Sequence, residues 1–162
     1  MKAICPGSFD PVTGGHLDVF RRAALLFESV VVAVGRNSAK NYLFSTEERV
    51  AMIAGLTGDL ANVTVKSLSG LLVDFCTAEG AGVIVKGVRT GTDFDFESQM
   101  ANMNRAQTGV DTVLLVSAPE WGHVSSTMVR EIALFGGDVG QFVGPDVAAL
   151  VRERVEQRRA SP

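Results

Sequence analysis

Pro6-Gly7-Ser8-Phe9-Asp10-Pro11-Val12-Thr13-Gly14-Gly15-His16-Leu17-Asp18 is the stretch on which the reading of the chain turns. A short apolar segment, Lys2 to Cys5, leads into it. Behind it Leu17, Phe20, Ala24 and Phe27 recur at three- and four-residue spacing, which predicts an amphipathic helix over Gly15 to Phe27. Two prolines and three glycines between a strand and a helix let the backbone turn sharply and approach a ligand closely. The helix start offers unpaired N–H groups and the positive end of a dipole, a setting for an anion. The expectation is a phosphate site that the rest of the chain completes.

The same alternation continues downstream. Ser29 to Gly35 is β-branched and apolar on both faces, as in a central parallel strand. Val63 to Leu68 alternates and reads as more peripheral, and Val83 to Lys86 and Thr112 to Val116 are further apolar runs. Helices are expected between them. Ser45-Thr46-Glu47-Glu48 fits a capping box, ahead of a buried stripe of Val50, Ile53 and Leu56. Leu71 to Glu79, Phe94 to Gln107, Ser126 to Phe135 and a C-terminal helix at about 146–157 follow. The expected fold is α/β: a Rossmann-like, doubly wound, five-stranded parallel sheet with helices on both faces, in one domain spanning 1–162. In such sheets ligands sit beyond the carboxyl ends of the strands, where the strand order reverses.

The chemically unusual residues do fall just after strands. They are Ser8 to His16, Gly35 to Lys40, Lys86 to Asp93, and Ser117 to Thr127. Lys40, Lys86 and Arg89, with two histidines and the hydroxyls of Ser125, Ser126 and Thr127, would converge on one rim. No cysteine nucleophile or paired acid and base stands out, so the inventory suits holding phosphates and not covalent catalysis. A neutral His16 in the first helical turn could donate to a phosphoryl oxygen; the plainer alternative is a histidine bonded to its local turn. One hydroxyl at the later helix start is explained by N-capping, and Trp121 is either core or an adenine platform. Asp93, Asp95 and Glu97 are a mix of cap and solvated helix face, their closeness to Arg89 leaving a ligand or an ion-pair role open.

Composition narrows the class. The chain has 162 residues, enough for one core, and 46% are hydrophobic. A formal net charge of -3 speaks against general nucleic-acid binding. Cys5 and Cys76 lie far apart in different apolar segments and read as reduced thiols, with no neighbours at metal-ligand spacing. No secretory leader opens the chain and no apolar run approaches about 18 residues, so the expected location is the cytoplasm, away from membrane.

Gly7-Ser8-Phe9-Asp10-Pro11 followed by Thr13-x-Gly-His16 resembles the nucleotidylyltransferase superfamily, marked by a (T/H)xGH motif. Within it the chain resembles the bacterial phosphopantetheine adenylyltransferase family over nearly its whole length. The matches are Pro6 to Thr13, Phe44 with Glu47-Glu48-Arg49, Lys86-Gly87-Val88-Arg89, Asp93-Phe94 with Glu97, Met103-Asn104-Arg105 and Val124-Ser125-Ser126. The resemblance implies transfer of AMP from ATP to 4′-phosphopantetheine, giving dephospho-CoA and pyrophosphate, the penultimate step of coenzyme A synthesis. It implies Mg²⁺ carried on the ATP phosphates with no protein ligand, a homohexamer, and coenzyme A as an inhibitor.

Carried over by position, the resemblance makes His16 the transition-state stabiliser, with Lys40 and Arg89 also catalytic. Ser8, Lys40, Leu72 and Lys86 would bind phosphopantetheine. Ser8, Phe9, His16, Gly87, Val88, Arg89, Glu97, Trp121, Gly122, His123, Val124, Ser125, Ser126 and Thr127 would line the ATP site. The chain departs from the family at Gly122-His123 and at Asn41-Tyr42-Leu43. The alternatives are nucleotide transfer to nicotinamide mononucleotide or a polyol phosphate, and a nucleotide-binding regulator without catalysis. Lys86 to Arg89 and Asn104-Arg105 argue against the first. The full set of Ser8, His16, Lys40, Lys86 and Arg89 exceeds what the second needs.

Overall fold

A computed structural model describes residues 1–36 and 41–160. Five strands, β1 (Lys2–Gly7), β2 (Ser29–Gly35), β3 (Val63–Leu68), β4 (Val83–Val88) and β5 (Asp111–Val116), form one sheet in the order β3-β2-β1-β4-β5. Every neighbouring pair is parallel, with Ile4 beside Val31 on one side and Ile84 on the other. This is the expected doubly wound fold, and β3 lies at an edge as its alternation predicts.

Side chains alternate across the sheet and build two cores. On one face Ala3, Cys5, Val30, Val32, Val34, Val83 and Val85 pack with residues of α1 (Gly14–Leu26), α2 (Thr46–Leu56), α5 (Ser126–Leu134) and α7 (Pro145–Ala160). On the other, Ile4, Val31, Ala33 and Ile84 pack with Cys76 of α3 (Leu72–Glu79). α4 (Gly91–Thr108) runs beside β4, β5 and α3. No helix among the described residues is long and apolar enough to cross a membrane.

Several boundaries differ from the sequence reading. β4 continues two residues past Lys86, because Gly87 and Val88 pair with Leu115 and Val116 of β5. α4 starts at Gly91, not Phe94, since Thr90 accepts from the Asp93 N–H (3.1 Å) and caps it. A four-residue helix, α6 (Gly140–Val143), and a 3₁₀ turn at Pro119–Trp121 were not anticipated. The buried face of α1 is Val19, Phe20 and Ala23, with Leu17 and Phe27 at its margin.

Candidate active site

From β1 the chain winds to β2 on one side, and later returns to place β4 on the other. The carboxyl ends of β1 and β4 therefore part, and a cleft of about 590 Å³ opens between them. It is lined by Ser8 and Phe9 after β1, by Thr13, Gly15 and His16 at the start of α1, by Lys86, Gly87 and Arg89 around the end of β4, and by Val124 to Thr127 at the start of α5. Two helix N-termini thus face one cavity, which favours anionic ligands.

His16 sits at the third position of α1 and closes a capping box with Thr13. The Thr13 hydroxyl accepts from the His16 N–H (3.4 Å), and the Thr13 N–H donates to His16 Nδ1 (3.0 Å). A backbone N–H can only donate, so Nδ1 is the acceptor and the proton resides on Nε2. Burial, reinforced by Arg89 and Lys86, lowers the His16 pKa to about 4. The ring is held by an edge-on contact with Phe9, centroids 5.0 Å apart, and Phe9 in turn meets Phe20 at 5.2 Å. Phe9 adopts a φ of 51°, a left-handed conformation uncommon outside glycine, and its ring fills the space where a Gly7 side chain would stand. The local-turn reading and the phosphoryl-donor reading of His16 are therefore one geometry, with Nδ1 spent on the turn.

The cationic side chains are already engaged. Lys86 pairs with Glu97 at 2.9 Å. Arg89 pairs with Asp93 through Nε at 3.0 Å and donates to the Val124 carbonyl at 2.8 Å. These bonds, led on the stabilising side by the Arg89 guanidinium, hold the Asp93 carboxyl below its ordinary range against the opposing effect of burial. Each hydroxyl at α5 also has a partner: Ser125 caps Met128 N–H (3.2 Å), Ser126 donates to the Pro11 carbonyl (2.8 Å), and Thr127 accepts from Arg130 (3.4 Å). Arg130 lines the same cleft, donates to the Asp10 carbonyl and lies 3.7 Å from the Asp10 carboxylate. The sequence reading missed it, although four residues after Ser126 and three after Thr127 is the spacing of one helix face.

Leu72 opens into a second cleft of about 610 Å³, lined also by Arg36 and by Ser67 to Gly70. The two clefts share Pro6, Gly7, Ser8 and Lys86. Of the remaining candidates, Val88, Trp121, Gly122 and His123 stand outside the wall of the first cleft. Val88 is buried in the sheet, Trp121 lies over Gly14 and Gly15, and the His123 ring is edge-on to Phe142 at 6.2 Å. Lys40 lies outside the described residues.

The turn is braced from below by two charged groups that the pattern of polar residues did not single out. Arg49, at 1% exposure, donates to the carbonyls of Ser8, of Gly35 (2.9 Å) and of Ser45 (3.2 Å), and to the Thr46 hydroxyl (3.0 Å). Asp10 accepts from the N–H groups of Leu43 (2.7 Å) and Phe44 (2.9 Å). Cys5 lines the first cleft, but burial pushes its thiol up to about 12 and leaves no thiolate nucleophile.

Residues 4–132 match the cytidylyltransferase-like family. The chain is 51% identical over 154 residues to a phosphopantetheine adenylyltransferase from Nocardioides sp., covering 95% of this chain and 97% of that one. It is 49% identical over 154 residues to a phosphopantetheine adenylyltransferase from Cutibacterium acnes, covering 95% and 98%. Among solved structures it is similar, at a TM-score of 0.71 and 17% identity, to a bifunctional NMN adenylyltransferase/ADP ribose pyrophosphatase from Francisella tularensis. That match covers 97% of this chain and spans 51% of the other, and it supports the fold alone. The sequence matches, made along nearly the whole length of the chain, show that it belongs to the phosphopantetheine adenylyltransferase family of nucleotidyltransferases.

Proposed function

We propose that the chain transfers AMP from ATP to 4′-phosphopantetheine, releasing pyrophosphate and giving dephospho-CoA, the penultimate step of coenzyme A synthesis. One observation carries this reading: the two clefts meet along Pro6, Gly7, Ser8 and Lys86. An enzyme that joins two phosphorylated molecules needs two cavities with a common wall, and that wall needs donors for the reacting phosphates.

ATP occupies the first cleft and the acceptor the second. A phosphate monoester is a nucleophile at neutral pH without a strong base, so the work is to bring two anions into line and spread the developing charge. Ser8 and Lys86 face the acceptor phosphate. His16 Nε2–H donates to the α-phosphate, where a neutral donor suits an imidazole held near pKa 4. Arg89, Arg130 and the start of α5 receive the β- and γ-phosphates, Asp93 keeping Arg89 extended until they arrive. Lys40 acts beside Ser8, as the family resemblance implies.

Mg²⁺ would ride on the nucleotide. Among the described residues no group of three or more His, Cys, Asp and Glu is placed to hold a metal ion. The acids lining the cleft, Asp10, Asp93 and Glu97, each hold a protein donor. Bound there, it would neutralise charge on the departing pyrophosphate. The enzyme works in the cytoplasm as a homohexamer, with coenzyme A inhibiting by occupying the acceptor site. The exposed Phe96, Met100 and Met103 of α4, beside Val113 and Val116 of edge strand β5, support burial between copies.

The test is a substrate swap. Purified protein with ATP and Mg²⁺ is given 4′-phosphopantetheine or nicotinamide mononucleotide, and pyrophosphate and the adenylylated product are measured. Dephospho-CoA from the first and no dinucleotide from the second is expected; the reverse would overturn the reading.

A further inference from the structure

We infer that the Tyr42 hydroxyl is a further ligand for the phosphoryl group held at Ser8, the phosphate of the acceptor substrate. The inference rests on the two-cleft reading above. Tyr42 Oη lies 3.2 Å from Ser8 Oγ, and either oxygen can be the donor. Whichever of the two accepts from the other can direct its own O–H as a hydrogen-bond donor to a phosphoryl oxygen. Tyr42 lines the first cleft but not the second, whereas Ser8 lines both. The phenol thus stands at the junction on the nucleotide side, hydrogen-bonded to the residue that the two cavities share.

The group is preorganised from three directions. The Arg49 guanidinium lies 4.2 Å from the centre of the Tyr42 ring, a cation–π contact that fixes the ring plane. A cation against the ring also draws electron density from the phenol and strengthens its O–H as a donor. The Tyr42 carbonyl accepts from Arg158 of α7, and the next residue, Leu43, donates its N–H to Asp10 at 2.7 Å. Since Arg49 also holds the Ser8 carbonyl, one buried side chain sets both hydroxyls. A hydroxyl held without further ordering cost is a stronger ligand than a mobile one. Its partner is the acceptor phosphate, which must pass Ser8 into the nucleotide cleft to reach the α-phosphorus, whereas the α-phosphate itself is served by His16 at the start of α1.

Tyr42→Phe removes only the hydroxyl and keeps the ring on Arg49. Wild type and Tyr42→Phe are compared by titration calorimetry with 4′-phosphopantetheine and with unphosphorylated pantetheine, and by steady-state KM for ATP. A hydrogen bond to a charged group predicts about a tenfold weaker Kd for 4′-phosphopantetheine in Tyr42→Phe. The Kd for pantetheine and the KM for ATP should stay within about twofold. Equal weakening for both acceptors, no weakening, or a change confined to ATP would overturn the assignment and leave Tyr42 as a loop anchor. A wild-type chain that makes no dephospho-CoA would overturn the functional reading and this assignment with it. Normal wild-type turnover beside an unchanged Tyr42→Phe would overturn this assignment alone.

Discussion

His16 accepts with one ring nitrogen and donates with the other, and the Thr13 N–H decides which is which. Because burial, Arg89 and Lys86 together hold its pKa near 4, the folded chain keeps this imidazole neutral where an unfolded chain would begin to protonate it near 6.5. Between those values the unfolded state binds the extra proton, so His16 makes the fold less stable as pH falls from about 6.5 to about 4. The penalty is complete below that window, at roughly 3 kcal/mol, and absent above it. A proton NMR titration should show the His16 ring unmoved from pH 8 to pH 5; a midpoint near 6.5 would contradict a neutral ring that accepts at Nδ1 and donates at Nε2. The motif Thr13-x-Gly-His16 was enough to single the residue out. Its place in a capping box was not legible, because that position ordinarily carries Glu or Gln. His123 shows the opposite failure: it is near the site in sequence, but its ring turns to Phe142.

Among the helices, α2 shows most clearly where periodicity stops informing. The Ser45–Glu48 capping box is present as expected, and Ile53 is fully buried with Val50 and Leu56 against the core. Arg49 is buried beside them because the carbonyls of Ser8 and Gly35, at the ends of the two adjacent strands, need a donor. That demand is tertiary, and no spacing within α2 announces it. Arg49→Met would leave those carbonyls facing an apolar chain, with an expected loss of about 3 kcal/mol or more in urea unfolding; a loss under about 1 kcal/mol would show that water replaces the guanidinium. The glycines of α1 carry a related lesson. Gly14 looked like room for a ligand, yet a Cβ there would stand 2.3 Å from the Trp121 ring. Gly14→Ala should displace that ring and, since the chain has one tryptophan, shift its fluorescence. An unchanged emission maximum would remove the Trp121 contact as the reason for glycine.

Taken together, the chain gathers its candidate site residues beside the line where the strand order reverses, the place where such sheets hold ligands. Ser8, His16 and Arg89 were legible because they come after strands, and Lys86 because it closes an apolar run; the structure gathers all four into one cleft, Lys86 from within β4. What supports that line was not legible. The C-terminal helix reaches back over it: Arg154 donates to the Leu43 carbonyl at 3.0 Å and pairs with Glu48, and Arg158 holds the Tyr42 carbonyl. These contacts join residues more than a hundred positions apart, beyond any local pattern. They brace the segment that carries Tyr42 against Ser8, and so bear on the claim that two phosphates meet there directly. With Cys5 held protonated by burial, the proposed reaction has the acceptor oxygen attack the α-phosphorus itself. The most direct measurement is the stereochemical course with ATP made chiral by an α-thiophosphate. A single in-line displacement across the shared wall predicts inversion at the α-phosphorus of dephospho-CoA; retention, the mark of a covalent adenylyl-enzyme, would contradict it.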